Sequence, residues 1–127
     1  MARSQPRPTD TELSILRVLW ERGASTVREV HETLADTRDT GYTTTLKLMQ
    51  IMADKGLVKR NETARTHVYS AIAGQEQTQR QLVQDLVDRA FGGSAAQLVL
   101  RALSAEGASE AELKEIRKLI DDYREKR

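Results

Sequence analysis

Hydroxyl residues followed three positions later by glutamate open three of the expected helices of this chain, and glycines close four, so the sequence is cut into short helices. Thr9-Asp10-Thr11-Glu12, Thr26-Val27-Arg28-Glu29 and Ser109-Glu110-Ala111-Glu112 are capping boxes. In each, the hydroxyl and the carboxylate reciprocally take up backbone N–H groups that a helix start leaves unpaired. Ser94-Ala95-Ala96-Gln97 has the same pattern, and Gly23, Gly56, Gly92-Gly93 and Gly107 stand where a left-handed residue can stop a helix. Isolated helices of such length are marginal in water, so each must bury an apolar stripe against a neighbour. With only 4% aromatic residues, that packing has to be aliphatic.

The first box predicts a helix to about Arg22, with Leu13, Leu16 and Trp20 at helical spacing and Ile15 and Leu19 beside them. The second opens a short amphipathic helix on Val27, Val30 and Leu34, which fades before the polar turn Thr37-Arg38-Asp39-Thr40-Gly41. A third helix is expected from Tyr42 to Lys55, stopped by Gly56. At ~100° per residue it carries Thr45, Leu48, Met49 and Met52 on one side. Thr43, Thr44, Lys47, Gln50, Ile51 and Asp54 fall on the other. Leu57-Val58-Lys59-Arg60 and Thr66-His67-Val68-Tyr69-Ser70 flank the polar insert Asn61 to Arg65 and read as a β-hairpin. Three helices followed by a hairpin is the order of a winged helix-turn-helix.

From Gln75 onward the pattern is helical. Leu82, Val83, Leu86, Val87 and Ala90 mark one helix, Leu98, Val99, Ala102 and Leu103 a second, and Leu113, Ile116, Leu119, Ile120 and Tyr123 a third. The expected fold is therefore mainly α with a small β-hairpin wing: a flexible polar arm over 1–8, a winged-helix domain over 9–73 and a three-helix domain over 74–127. Three short helices bury too little surface to offset chain entropy. The economical partner is a second copy, packed through a two-fold interface. Leu82, Leu86, Leu98, Leu103, Leu113, Ile116 and Ile120 are expected to form that dimer core.

Twenty lysines and arginines against nineteen aspartates and glutamates leave a formal charge of +1, so any anion binding must come from local clustering. The chain has no cysteine and only two histidines, His31 and His67, which gives no disulfide, no thiol nucleophile and no expected metal or cofactor site. No Gly-rich phosphate loop or Gly-x-Ser-x-Gly elbow is present, so enzymatic chemistry is not expected. Glu110, Glu112, Glu115, Asp121, Asp122 and Glu125 alternate with Lys114, Arg117, Lys118, Arg124 and Lys126, the pattern of a solvated helix face. No apolar run approaches the ~18 residues of a membrane span, and the start lacks a signal-peptide core. The expectation is a cytoplasmic protein with no membrane partner.

Charge is concentrated in one place. Between residues 47 and 65, Lys47, Lys55, Lys59, Arg60 and Arg65 face only Asp54 and Glu62, a surplus of three positive charges. Thr43, Thr44, Lys47 and Gln50 suit groove contacts: hydroxyls reach phosphate or base, a threonine methyl meets a thymine methyl, and glutamine grips adenine N6 and N7. Lys59, Arg60 and Arg65 would follow the phosphate backbone from the wing. A dimer would set two such helices about one DNA turn apart, ~34 Å. The threonine run also fits a plain helix start capped by Thr43, and Met49 and Met52 fit ordinary core filling.

Tyr42-Thr43-Thr44-Thr45, followed by Met49, Met52 and Lys55-Gly56-Leu57, resembles the recognition helix of the penicillinase repressor family, which includes the methicillin-resistance and copper-responsive repressors. Thr11-Glu12-Leu13 with Val18-Leu19-Trp20, the strand Val68-Tyr69, and Phe91-Gly92-Gly93-Ser94 before Leu98-Val99 are similar too. The likeness implies a homodimeric repressor on a palindromic operator of double-stranded DNA, built around TACA and TGTA half-sites. It also implies control of beta-lactamase or antibiotic-resistance type genes. Thr43, Thr44 and Lys47 match the family's DNA-facing positions, and Arg60 and Arg65 lie in the wing; Ile51 departs, since many relatives carry Arg there. In the penicillinase branch a protease relieves repression by cutting within the fifth helix. The matching dipeptide here is Arg101-Ala102, where that branch has Asn then Phe. The copper-responsive members' cysteine-rich tail has no counterpart in this chain.

Two other readings stay open from the residues alone. One is a winged-helix module that binds protein, which near-neutral net charge and an outward Ile51 allow. The other is a repressor that senses a small ligand.

Overall fold

The computed structural model describes residues 7–37, 39–63 and 65–126. Apart from Arg7 and Pro8, the expected arm lies outside these residues, as do Arg38 in the expected turn and Ala64 in the wing insert. Elements follow in the order α1 (Asp10–Arg22), β1 (Ser25–Thr26), α2 (Val27–Leu34), α3 (Tyr42–Lys55), β2 (Val58–Asn61), β3 (Val68–Ala71), α4 (Gln75–Ala90), α5 (Ala95–Ala105) and α6 (Glu110–Glu125). The chain divides into two compact units between Leu82 and Val83, inside α4. Among the described residues no helix is long and apolar enough to cross a membrane.

Local chemistry sets the helix starts. Thr9 Oγ1 accepts from the Glu12 amide at 3.2 Å while the Glu12 carboxylate accepts from the Thr9 amide at 2.9 Å. Thr26 and Glu29 repeat the arrangement at 3.1 and 2.8 Å. Helix α3 instead begins at Gly41, with no side-chain cap, and ends at Gly56 in the left-handed region at φ 82°. There the Leu57 amide turns back to the Met52 carbonyl at 2.9 Å, fixing the sharp exit into β2.

The core of the first unit is aliphatic, as the composition requires. Ile15, Leu16, Val18 and Leu19 of α1 meet Val27, Val30 and Leu34 of α2, Met49 and Met52 of α3, and Leu57, Val58, Tyr69 and Ala73. Each fully buried Leu, Ile or Met contributes about 1.5–3 kcal/mol relative to exposure, so this cluster fixes the relative placement of the three helices. Trp20 packs at the margin, and its Nε1 donates to the Ala73 carbonyl at 2.9 Å, tying α1 to the chain entering α4.

The wing is one strand larger than the hairpin expected from the sequence. β2 and β3 pair antiparallel with Arg60 opposite Tyr69, and β1 adds to the other edge of β3 with Ser25 opposite Tyr69, giving the order β1-β3-β2. Two residues carry no periodicity, so β1 leaves no sequence signal. Thr26 serves twice, as a strand residue and as the N-cap of α2, which couples the sheet directly to the helix-turn-helix.

In the second unit Val87 is buried, and Gly93, at φ 85°, donates to its carbonyl at 3.0 Å as the chain turns toward α5. Ser94 caps α5 through the Gln97 amide, and Ser109 forms a full box with Glu112. Neither α5 nor α6 has a buried residue. Val99, Leu100, Leu113, Leu119, Ile120 and Tyr123 are all exposed, Leu119 and Tyr123 by 69% and 67%.

Candidate nucleic-acid interface

The three threonines of α3 separate by role. Thr45 is buried and its Oγ1 donates to the Gly41 carbonyl at 3.1 Å, which consumes its polarity inside the helix's first turn. With Met49 and Met52 buried beside it, this stripe anchors α3. Thr43, Thr44, Lys47, Gln50 and Asp54 are exposed, and Ile51 is 38% exposed among them. The helix therefore presents hydroxyls, an amide and an ammonium on its exposed face. Capping of α3 by Thr43 does not occur, because Gly41 is the N-cap.

Beside this face runs an open groove of about 450 Å³ between α3, the start of α2 and the wing. Tyr42, Leu46 and Gln50 line it from α3, Thr26, Val27 and Arg28 from β1 and α2, and Arg60, Arg65, Thr66, His67 and Tyr69 from the wing. Gln50, Arg60 and Arg65 are thus brought together, whereas Thr43, Thr44 and Lys47 look outward from the helix and Lys59 is exposed on β2. The sequence reading missed Arg28, Tyr42 and His67. Arg28 could have been found: it lies in the first turn of α2, and the first helix of a helix-turn-helix crosses the DNA backbone.

Two cations of the basic segment have protein partners. Lys55 Nζ sits 2.7 Å from the Glu12 Oε1, and Arg60 Nη2 sits 2.7 Å from the Glu62 Oε1. Lys55 therefore points into the domain and adds nothing to an outward basic face. Lys47, Lys59, Arg65 and Arg28 remain exposed around the groove and the outer face of α3. At the helix-turn-helix junction His31 meets the Tyr42 ring edge-on, centroids 5.9 Å apart and planes at 88°. That contact props the first residue of α3 from α2.

Of the residues expected in a dimer core, Leu86, Leu113 and Ile120 are exposed by 49%, 39% and 51%, and Leu82, Leu98, Leu103 and Ile116 are half-buried. Arg101 and Ala102 are exposed on α5.

Comparison with known proteins bears on this geometry. The family model for the penicillinase repressor matches residues 8–122. A transcriptional regulator BlaI of Mycobacterium tuberculosis is 33% identical over 105 residues, covering 81% of this chain and 76% of its own. A penicillinase repressor of Staphylococcus aureus is 19% identical over 126 residues, covering 99% of this chain and 100% of its own. The solution structure of the monomeric form of Bacillus licheniformis BlaI in complex with the blaP half-operator has the same winged-helix fold, with a TM-score of 0.52 at 21% identity over 60% of this chain and 93% of that one. With a match over nearly its whole length and a winged helix that leaves one face of α3 clear, the chain belongs to the penicillinase repressor family of DNA-binding transcription repressors.

Proposed function

We propose that two copies of this chain clamp a palindromic operator, with α3 of each entering the major groove. The observation that carries the reading is the division of α3: Thr45, Met49 and Met52 are buried while Thr43, Thr44, Lys47 and Gln50 are exposed. In this reading Thr43, Thr44 and Gln50 meet base edges, while Lys47, Lys59, Arg60 and Arg65 meet phosphates. Arg28 joins them from the first turn of α2. The Bacillus licheniformis relative, solved in complex with the blaP half-operator, supports DNA as the partner.

Dimerisation is supported by α5 and α6, two helices of 11 and 16 residues without a single buried side chain. An apolar face of that kind is covered by association. The division of labour is a DNA-binding domain over 9–73 and a dimerisation domain over 74–127, in a cytoplasmic protein whose targets are of the beta-lactamase or antibiotic-resistance type. Exposed Arg101-Ala102 on α5 is the position at which an inactivating protease would cut.

Selection of bound fragments from a genomic DNA pool tests the proposal. Enrichment of one inverted repeat is expected. Binding to it should weaken by ~10³–10⁵ between 50 and 200 mM salt if 6–10 phosphates are contacted. A folded protein that enriched no sequence would remove the operator reading.

A further inference from the structure

We infer that Glu62 at the wing tip occupies Arg60 in the free protein and thereby limits how tightly the wing grips DNA of any sequence. The inference rests on the DNA-binding reading and adds to it a residue that weakens contact. Arg60 Nη2 and Glu62 Oε1 are 2.7 Å apart. Arg60 lines the groove with Gln50 and Arg65, where a phosphate would dock, and it carries the Glu62 carboxylate bonded to its guanidinium there.

The geometry of the tip keeps the carboxylate there. Asn61 Oδ1 accepts from both the Thr63 amide, at 3.0 Å, and the Thr63 hydroxyl, at 2.7 Å. This Asx turn closes the backbone around Glu62 and holds it beside the end of β2. With 38% and 56% of their side chains exposed, Arg60 and Glu62 form a hydrated pair. Such pairs contribute little to stability and exchange partners readily. A phosphate approaching Arg60 nevertheless meets a carboxylate already in place. The guanidinium has donors enough for two anions, but those anions repel each other across it. Glu62 must either swing away, which gives up the ion pair, or stay and offset part of the Arg60 charge, and in both cases the net attraction of Arg60 for DNA is reduced.

The test is a double-mutant cycle on Arg60→Gln and Glu62→Gln, using a labelled duplex of random sequence and fluorescence anisotropy across a salt series. Glu62→Gln alone is expected to bind roughly three- to tenfold tighter and to steepen the salt dependence by a fraction of the ~0.9 per subunit that one full phosphate contact gives. In the Arg60→Gln background the same change should give only a small part of that gain. An equal gain in both backgrounds would show a bare charge effect and overturn the inference, as would no gain in a Glu62→Gln chain with an unchanged melting curve. If the wild type bound no duplex at low salt, DNA binding itself would fail, and the inference with it.

Discussion

Lys55 Nζ lies 2.7 Å from Glu12 Oε1, joining the last residue of α3 to the third residue of α1 across 43 positions of sequence. Glu12 already accepts from the Thr9 amide in its capping box, so one carboxylate both starts α1 and fastens the far end of α3. The two partners differ in environment, with 31% of the Lys55 side chain exposed against 2% for Glu12. Removing Lys55 leaves a buried carboxylate without its cation, while removing the charge of Glu12 leaves an ammonium that water can reach. Lys55→Gln is therefore expected to cost about 3–5 kcal/mol and Glu12→Gln about 1–3 kcal/mol. Urea unfolding of both variants checks the order; a smaller loss for Lys55→Gln would contradict it.

The same pair predicts an acid response. Burial alone would raise the Glu12 pKa, but hydrogen bonds to Lys55 and Thr9 and the Lys55 charge outweigh it and hold the carboxyl below its ordinary value. The backbone and hydroxyl bonds of Thr26 and Ser109 lower Glu29 and Glu112 likewise. A carboxyl depressed on folding stabilises above its unfolded pKa, and that contribution is lost as pH falls through its folded pKa. Stability should hold near neutrality and decline from about pH 5 downward. In Glu12→Gln the decline should be shallower, as read from urea midpoints at successive pH values.

Residues of the interface should divide by what they touch. Lys47→Ala and Arg28→Ala are expected to weaken binding to all sequences alike and to reduce the salt slope by about 0.9 per lost phosphate contact. Gln50→Ala should cost ~1–3 kcal/mol at one operator position and relax selectivity there. Binding profiles over a set of single-substitution operators distinguish the two classes. An unaltered profile for Gln50→Ala would take that side chain out of base recognition.

A charge on the uncovered helices tests the proposed dimer. Ile116 is half-buried on α6, next to exposed Leu113 and Ile120. Ile116→Glu is expected to produce monomers in sedimentation analysis, while near-native helical content persists because α6 keeps its Ser109 cap. An intact dimer would place the interface elsewhere.

A core substitution should act on recognition at a distance. Met49 is fully buried on the inner side of α3, opposite the exposed residues of that helix. Met49→Ala is expected to destabilise by about 2–5 kcal/mol. Once α3 is less firmly seated, operator binding should weaken before global unfolding is detectable, as a thermal melt run beside a gel shift would reveal.

Much of the local structure is legible in the residues. The caps at Thr9, Thr26 and Ser109, the stop at Gly56 and the buried stripe of α3 all follow from contacts within a turn or two of helix. The exposed positions Thr43, Thr44, Lys47 and Gln50 follow from helical periodicity by the same reasoning. What escaped was non-local: β1 is two residues that pair, among the described residues, with β3 some 40 positions on, and Arg28 and His67 line one groove from distant parts of the sequence.

Sequence by itself determined where each helix starts and stops and which of its faces is apolar, because capping, glycine conformation and periodicity act through near neighbours. Only the tertiary structure decided that Lys55 turns inward to Glu12 and that Gln50, Arg60 and Arg65 share one groove with Arg28. A charged side chain takes its role from whichever opposite charge the fold brings within a few ångströms, and distance along the chain carries no record of that.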